Sequence, residues 1–170
     1  MESLIKYVKG NVLSPIGDGH KLIIHCCNDL GLMGSGVAKA LFLKWPSVKS
    51  KYLDWKYKSD SSIAKFALGN IQVIEVEKDI WVANMIGQHG IATHNSPPPI
   101  RYEAIDSCLN AVAKWIDIKG DEVKSISIHA PRFGAGLAKG KWETIESLIV
   151  KNLCSRGIEV TIYDLPEQSK

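Results

Sequence analysis

The sequence lacks any hydrophobic run long enough for a membrane span, which takes about 20 consecutive apolar residues. It also lacks a secretory signal at its start, because Met1–Lys9 carries charges where a signal peptide has its apolar segment. These two absences predict a protein of the cytoplasm that has no membrane partner.

The cysteines do not form a recognisable motif. Cys26 and Cys27 are adjacent, Cys108 and Cys154 stand alone, and no C-x-x-C pair occurs. Neither a zinc site nor a thioredoxin-like redox motif is therefore indicated. Histidines and acidic residues also do not fall at the spacings of metal ligands. We expect buried free thiols in a reducing compartment, no metal and no cofactor.

The chain also lacks a block of basic charge. Its net charge is only +3, and its lysines are interspersed with acidic residues. A nucleic-acid partner is not expected, because binders of that class carry a basic stripe or patch. The loose cluster Lys49, Lys51, Lys56 and Lys58 is interpreted as the solvated face of a helix. The mild positive charge still favours a small anionic ligand.

The hydrophobic pattern indicates one α/β domain, for which 170 residues are a suitable length. Short apolar runs alternate with helical patterns, which is typical of a largely parallel sheet covered by helices. Two of the strands are separated by a short turn and predict a hairpin, so the sheet is mixed. Gly87–Pro99 is expected to be irregular. The predicted strands are Leu4–Val8, Leu22–Asn28, Ile71–Val76, Ile80–Ile86, Ser125–His129 and Ile158–Tyr163, and the predicted helices are Val37–Lys44, Ser47–Tyr57, Arg101–Ile118 and one from Trp142 to Leu153.

Two glycine-rich loops occupy equivalent places in this pattern. Asp29–Gly36 follows one strand and Ala130–Gly140 follows another, and each loop precedes a helix. Ligands of open α/β sheets bind beyond the carboxyl ends of the strands. Glycine lets backbone N–H groups approach an anion, and a helix N-terminus favours negative charge. Neither loop matches a Walker A motif or a complete Rossmann fingerprint, and the pair together predicts a site for two linked phosphates.

Four segments, in order and spanning nearly the whole chain, resemble those of macrodomains. They are Tyr7–Leu13 (YVKGNVL), His25–Asn28 with Met33–Ala38 (HCCN and MGSGVA), Pro131–Leu137 with Trp142–Glu143 (PRFGAGL and WE), and Val160–Leu165 (VTIYDL). The resemblance implies a three-layer αβα macrodomain with a mixed, largely parallel central sheet. It places the single macrodomain at residues 1–165 and a polar C-terminal tail at 166–170.

The resemblance also implies a cleft for ADP-ribose. Gly34–Val37 would cradle the diphosphate from one side and Gly134–Leu137 from the other. Tyr163 would pack near the adenine, and Asn28 would reach the distal ribose. Many macrodomains carry an aspartate that accepts from the adenine amino group where this chain has Asn11, whose amide accepts without charge assistance. The implied ligand-binding residues are Asn11, Val12, Asp29, Gly34, Ser35, Gly36, Val37, Phe133, Gly134, Ala135, Gly136, Leu137 and Tyr163.

Within the family, the resemblance is greatest to the branch that removes the terminal phosphate of ADP-ribose 1''-phosphate. That branch shares the YVKGN start and a histidine at the position of His25. His25 would act as base or nucleophile, Asn28 would position the ribose, and His89 or His94 would be the second catalytic group. Asp29 would orient His25 or a water, or cap the turn. Arg132 is expected to pair within the protein.

Two alternatives stay open. A mono-ADP-ribosyl glycohydrolase of this family uses a lysine after the Ile80–Ile86 strand and an aspartate after the second loop. This chain has Gly87–Gly90 (GQHG) and Ala138 at those places, so it would need a route without that lysine. A reader would bind ADP-ribose without chemistry and would not need His25, which could instead be a core histidine. In each case we expect a monomer whose partner is ADP-ribose or ADP-ribose 1''-phosphate.

Overall fold

The structure is a computed structural model that describes residues 5–58, 62–93, 97–120, 122–123, 125–136 and 138–166. In this part of the chain, six strands form one sheet: β1 (Ile5–Lys9), β2 (His20–Asn28), β3 (Ile71–Glu77), β4 (Ile80–Gln88), β5 (Ile126–Ala130) and β6 (Val160–Asp164). The helices are α1 (Gly36–Lys44), α2 (Ser47–Tyr57), α3 (Tyr102–Lys119) and α4 (Trp142–Asn152). A short 3₁₀ turn, Cys154–Arg156, follows α4.

The sheet has the strand order β1-β6-β5-β2-β4-β3. All neighbours pair in parallel except β3, which runs antiparallel to β4 and forms the expected hairpin at one edge. Asp79, in the hairpin turn, takes a left-handed φ of 67°, a conformation that aspartate tolerates better than most residues. The carboxyl ends of β2, β5 and β6 therefore lie side by side at one edge of the sheet.

Helices cover both faces of the sheet, as the continuous apolar runs of the central strands predict. Leu22 and Ile24 of β2 pack with α3 and α4 in one core. Ile23 and Cys27, which alternate with them along the strand, pack with α1 and α2 in the other. This alternation on a strand buried on both sides produces the three-layer αβα fold.

The observed elements differ from the predicted ones mainly at their ends. β2 begins at His20 rather than Leu22. β4 continues through Gln88, so Gly87 and Gln88 belong to the strand and not to an irregular segment. An isolated bridge from Gln88 to Ile100 then ties the two ends of the following segment together. Within the described residues, no helix combines the length and apolarity needed to cross a bilayer.

Candidate functional site

A cavity of about 730 Å³ lies at the carboxyl edge of the sheet, between the two glycine loops. The segments that follow β2, β4 and β5 line it, together with one face of α2. A depression of about 420 Å³ at the β3–β4 turn contains neither loop. The predicted site residues that line the larger cavity are His25, Asn28, Gly34, Ser35, Gly36, Val37, Phe133, Gly134 and Gly136.

The side chain of Asn28 shapes the first loop. Its Oδ1 accepts from the backbone N–H groups of Leu30 and Leu32 at 3.0 and 3.1 Å, and its Nδ2 donates to the Leu32 carbonyl at 2.7 Å. Tyr52 of α2 donates its hydroxyl to the Asn28 carbonyl at 2.5 Å. Asn28 thus lines the cavity, and the hydrogen bonds of its side-chain amide stabilise the turn of the first loop.

The first loop lines the cavity, and several of its backbone N–H groups have no acceptor among the described residues. Ser35 makes no side-chain cap for α1, and the first turn of α1 has no acidic residue. No described residue accepts a hydrogen bond from the N–H groups of Gly34, Ser35, Gly36 or Val37. Gly36 has a φ of 63°, a left-handed turn that glycine makes without strain as the chain enters the helix. The N-terminus of α1 therefore offers aligned donors to an anion.

The second loop presents donors from the opposite side. The N–H groups of Gly134 and Gly136 have no acceptor among the described residues. The loop is closed by Gly140, whose N–H donates to the Gly134 carbonyl at 2.7 Å. α4 begins only at Trp142, beyond the cavity lining. An anion would thus meet loop amides here rather than the helix N-terminus that the sequence pattern suggests.

Arg132 holds the second loop to the last strand. Its guanidinium donates to the two carboxylate oxygens of Asp164 at 2.6 and 3.0 Å. The same group lies over the rings of Tyr7 and Trp142, 5.0 and 5.4 Å from their centroids. This bidentate pair confirms the expectation that Arg132 pairs within the protein, and it lowers the pKa of Asp164.

His25 lies on the floor of the cavity and is 2% exposed. Its Nε2 is 2.6 Å from Oδ1 of Asn84, and Nδ2 of Asn84 donates to the Val48 carbonyl and to Gln72. Since the Asn84 oxygen can only accept, Nε2 carries the proton and Nδ1 keeps its lone pair. Burial lowers the pKa of His25 to about 4, so the ring is neutral at physiological pH.

The two cysteines beside His25 are thiols rather than thiolates. Cys27 Sγ lies 3.9 Å from His25 Nδ1. Burial raises the pKa of Cys26 to about 12 and that of Cys27 well above its usual range. Neither is therefore an activated nucleophile at neutral pH. Among the described residues no group of three or more His, Cys, Asp or Glu is arranged to hold a metal ion.

Asp29 pairs with His89 and not with His25. One carboxylate oxygen is 2.7 Å from His89 Nδ1, and the other accepts from the Gly90 N–H at 2.8 Å. Burial raises the pKa of Asp29, but these two partners outweigh it and the net shift is downward. Both side chains lie at the rim, outside the cavity lining, and His89 is 63% exposed. The alternative candidate, His94, lies outside the described residues.

The residues predicted to contact the adenine, Asn11 and Tyr163, lie outside the cavity lining, as does Val12. Asn11 is exposed, and its Oδ1 accepts from the Leu13 N–H at 2.9 Å. Val12 and Tyr163 are buried, and the Tyr163 hydroxyl accepts from the Ile16 N–H and bonds to His129. Tyr163 therefore stabilises the segment that follows β1. Ala135 also lies outside the cavity lining, and Leu137 lies outside the described residues.

The interpretation of Lys49, Lys51, Lys56 and Lys58 as one solvated face was wrong for two of the four. Lys51 and Lys58 are exposed, but Lys49 lines the cavity with Leu53, and Lys56 donates to the Leu30 carbonyl at 2.6 Å. Residues 49, 53 and 56 are spaced so as to share one stripe of the helix, and this stripe faces the first loop. The helical spacing of these residues could have predicted the stripe. For Asn84, the sequence shows only a polar residue within an apolar strand.

Comparison with known proteins identifies the family. A macrodomain protein from Streptomyces coelicolor is 42% identical to this chain, with a TM-score of 0.78 over 96% of this chain and 100% of that one. The chain belongs to the macrodomain family. No family model matches the sequence.

Two further relatives extend the comparison. This macrodomain is 44% identical to a Bacteroides thetaiotaomicron protein of unknown function, with a TM-score of 0.86 over 96% of this chain and 99% of that chain. It is 25% identical to the ADP-ribose 1''-phosphate phosphatase of Candida glabrata, over 96% of this chain and 99% of that protein.

A test of the second loop is the variant Gly140→Ala. A Cβ at Gly140 would meet the Gly134 carbonyl oxygen at 2.5 Å, so the loop backbone must move. We expect a loss of about 1–3 kcal/mol in the free energy of unfolding, measured by chemical denaturation. Gly136→Ala, with no atom within 4 Å of the added Cβ, is the matched control and should change stability by less than about 0.5 kcal/mol. Equal stability of the two variants would contradict the observed loop closure.

Stability should fall as the pH is lowered from about 6.5 to about 4. Burial lowers the pKa of both His25 and His129 to about 4, so between these pH values the unfolded chain binds more protons than the native one. Each histidine can cost up to about 3 kcal/mol by pH 4. Denaturant midpoints measured across this range test the prediction. The double variant His25→Asn/His129→Asn should flatten the profile, and an unchanged slope would show that other groups cause it.

Proposed function

We propose that this macrodomain binds ADP-ribose and hydrolyses the terminal phosphate of ADP-ribose 1''-phosphate. The proposal rests on the backbone N–H groups without described acceptors in the two loops that line the cavity. Gly34–Val37 on one loop and Gly134 and Gly136 on the other have no acceptors among the described residues. A diphosphate between them would satisfy donors on both sides, with the N-terminus of α1 adding its dipole.

The charge of the cavity supports an anionic ligand. The described part of its lining contains no Asp or Glu, and Asp29 is paired with His89 outside that lining. A carboxylate near the phosphates would repel them. The similarity to a phosphatase of ADP-ribose 1''-phosphate extends over nearly the full length of both chains, which supports the same ligand class here.

His25 is the group we assign to the hydrolytic step. Asn84 holds the Nε2 proton, which leaves the Nδ1 lone pair as the basic atom of a neutral ring. In the proposed reaction a water attacks phosphorus, Nδ1 takes its proton, and the bond from phosphorus to the 1'' oxygen breaks. The 1'' oxygen takes a proton and leaves as the ribose hydroxyl. Asn28 would position the ribose, and the Asp29–His89 pair would supply the second proton-transfer group.

A reader of ADP-ribose is the second candidate, and one observation favours it. Each residue assigned to the chemistry also has a structural partner: His25 bonds Asn84, Asn28 folds the first loop, and His89 pairs with Asp29 at the rim. A protein that only binds would show the same contacts.

The deciding experiment combines calorimetric titration with ADP-ribose and a phosphate-release assay on ADP-ribose 1''-phosphate. We expect binding and release. We expect His25→Asn to lower kcat by about 100-fold or more while the Kd for ADP-ribose changes little. His129→Asn is the matched control, because His129 is equally buried but does not line the cavity, and it should keep turnover.

Other results of the same experiment would support one of the alternative functions. Binding without phosphate release supports the reader, unless the protein frees ADP-ribose from an ADP-ribosylated peptide, which would make it a glycohydrolase that lacks the usual lysine. If His25→Asn loses activity because it fails to fold, His25 is a core residue and not a catalytic one. Absence of ADP-ribose binding would reject the proposal.

A further inference from the structure

The described lining of the cavity contains two cationic side chains, and within the described residues one of them is neutralised by a carboxylate. Arg132 and Lys49 are its lysine and arginine residues among the described lining. Arg132 is paired with both oxygens of Asp164. Lys49 therefore supplies the uncompensated positive charge of the lining.

Among the described residues, the ammonium group of Lys49 has no anionic partner. It makes no hydrogen bond or ion pair with any described residue, and it rests over the ring of Phe42, 4.6 Å from the centroid. A cation on an aromatic face is held weakly compared with one in a partly buried ion pair. The flexible four-carbon stem of lysine lets such a group move to an incoming anion.

The backbone next to Lys49 is linked to His25, and both side chains line the cavity. The residue before Lys49, Val48, accepts through its carbonyl from Asn84 at 3.2 Å, and Asn84 in turn bonds the ring of His25. One amide side chain thus connects the backbone beside Lys49 to the residue assigned to hydrolysis. In the proposed complex the diphosphate binds the unpaired loop amides. The charge of Lys49 is then left for a different anionic group.

We propose that Lys49 binds the terminal phosphate of ADP-ribose 1''-phosphate and gives the site its preference for that ligand over ADP-ribose. The inference rests on the proposed function, because it takes the terminal phosphate to lie beside His25. ADP-ribose carries a hydroxyl in place of that phosphate and has nothing there for an ammonium to neutralise. Lys49 is a specificity residue in this account and takes no part in proton transfer.

The experiment compares Lys49→Met, Lys49→Arg and Lys51→Met with the unaltered protein. The methionine variant removes the charge and keeps an unbranched apolar stem, and the arginine variant keeps the charge. Lys51 lies on the same helix but is exposed and outside the cavity lining, which makes it the matched control. For each protein, kcat and KM are measured with ADP-ribose 1''-phosphate, the Kd is measured with ADP-ribose, and the denaturation midpoint checks folding.

We expect Lys49→Met to raise KM for ADP-ribose 1''-phosphate by about 10-fold or more, the size of one charge-assisted hydrogen bond. Its Kd for ADP-ribose should change by less than about twofold, since that ligand makes no such bond. Lys49→Arg should restore most of the loss, and Lys51→Met should alter neither constant. Equal weakening of both ligands, or no change in either, would overturn the inference.

Failure of the proposed function would give a different experimental result from failure of this inference. If the unaltered protein binds ADP-ribose 1''-phosphate without releasing phosphate, the hydrolytic proposal fails while Lys49 is still tested by the Kd values of the two ligands. A preference for the phosphorylated ligand that disappears in Lys49→Met then supports the inference. Equal affinity of the unaltered protein for both ligands rejects it.

Discussion

The site depends on the parallel arrangement of β2, β5 and β6. Leu22 of β2 is in register with Ile128 of β5, which is in register with Val160 of β6. These residues are buried, and the apolar packing on both faces of the sheet fixes this register. Because parallel strands end at the same edge, the loops that follow β2 and β5 face each other although about a hundred residues of sequence separate them.

Polar side chains near the cavity mostly shape its walls. Asn28 folds the first loop, Asp29 holds the turn at Gly90, and Arg132 ties the second loop to Asp164. Many of their donors and acceptors are used within the protein, which leaves backbone N–H groups as the main donors exposed to a ligand. Anion recognition by oriented amides needs little rearrangement on binding, since the amide dipoles are already in place.

Much of this architecture could be predicted from the sequence because the signals were local. Alternating and helical apolar patterns indicated the strands and helices, and the glycines after β2 and β5 indicated the anion-binding loops. Partners that are distant in sequence could not be predicted. Asp29 pairs with His89 and His25 with Asn84 only because β2 and β4 are neighbours. The cavity-facing stripe of α2 likewise depends on where the helix crosses the first loop.

The measurement that tests the central claim most directly is an amide NMR titration with ADP-ribose. If the parallel strands bring two anion-binding loops together, one ligand should shift the backbone N–H signals of Gly34–Val37 and of Gly134 and Gly136 along a single binding curve. Shifts confined to one loop, or centred on the depression at the β3–β4 turn, would contradict the claim that the two loops form a single site.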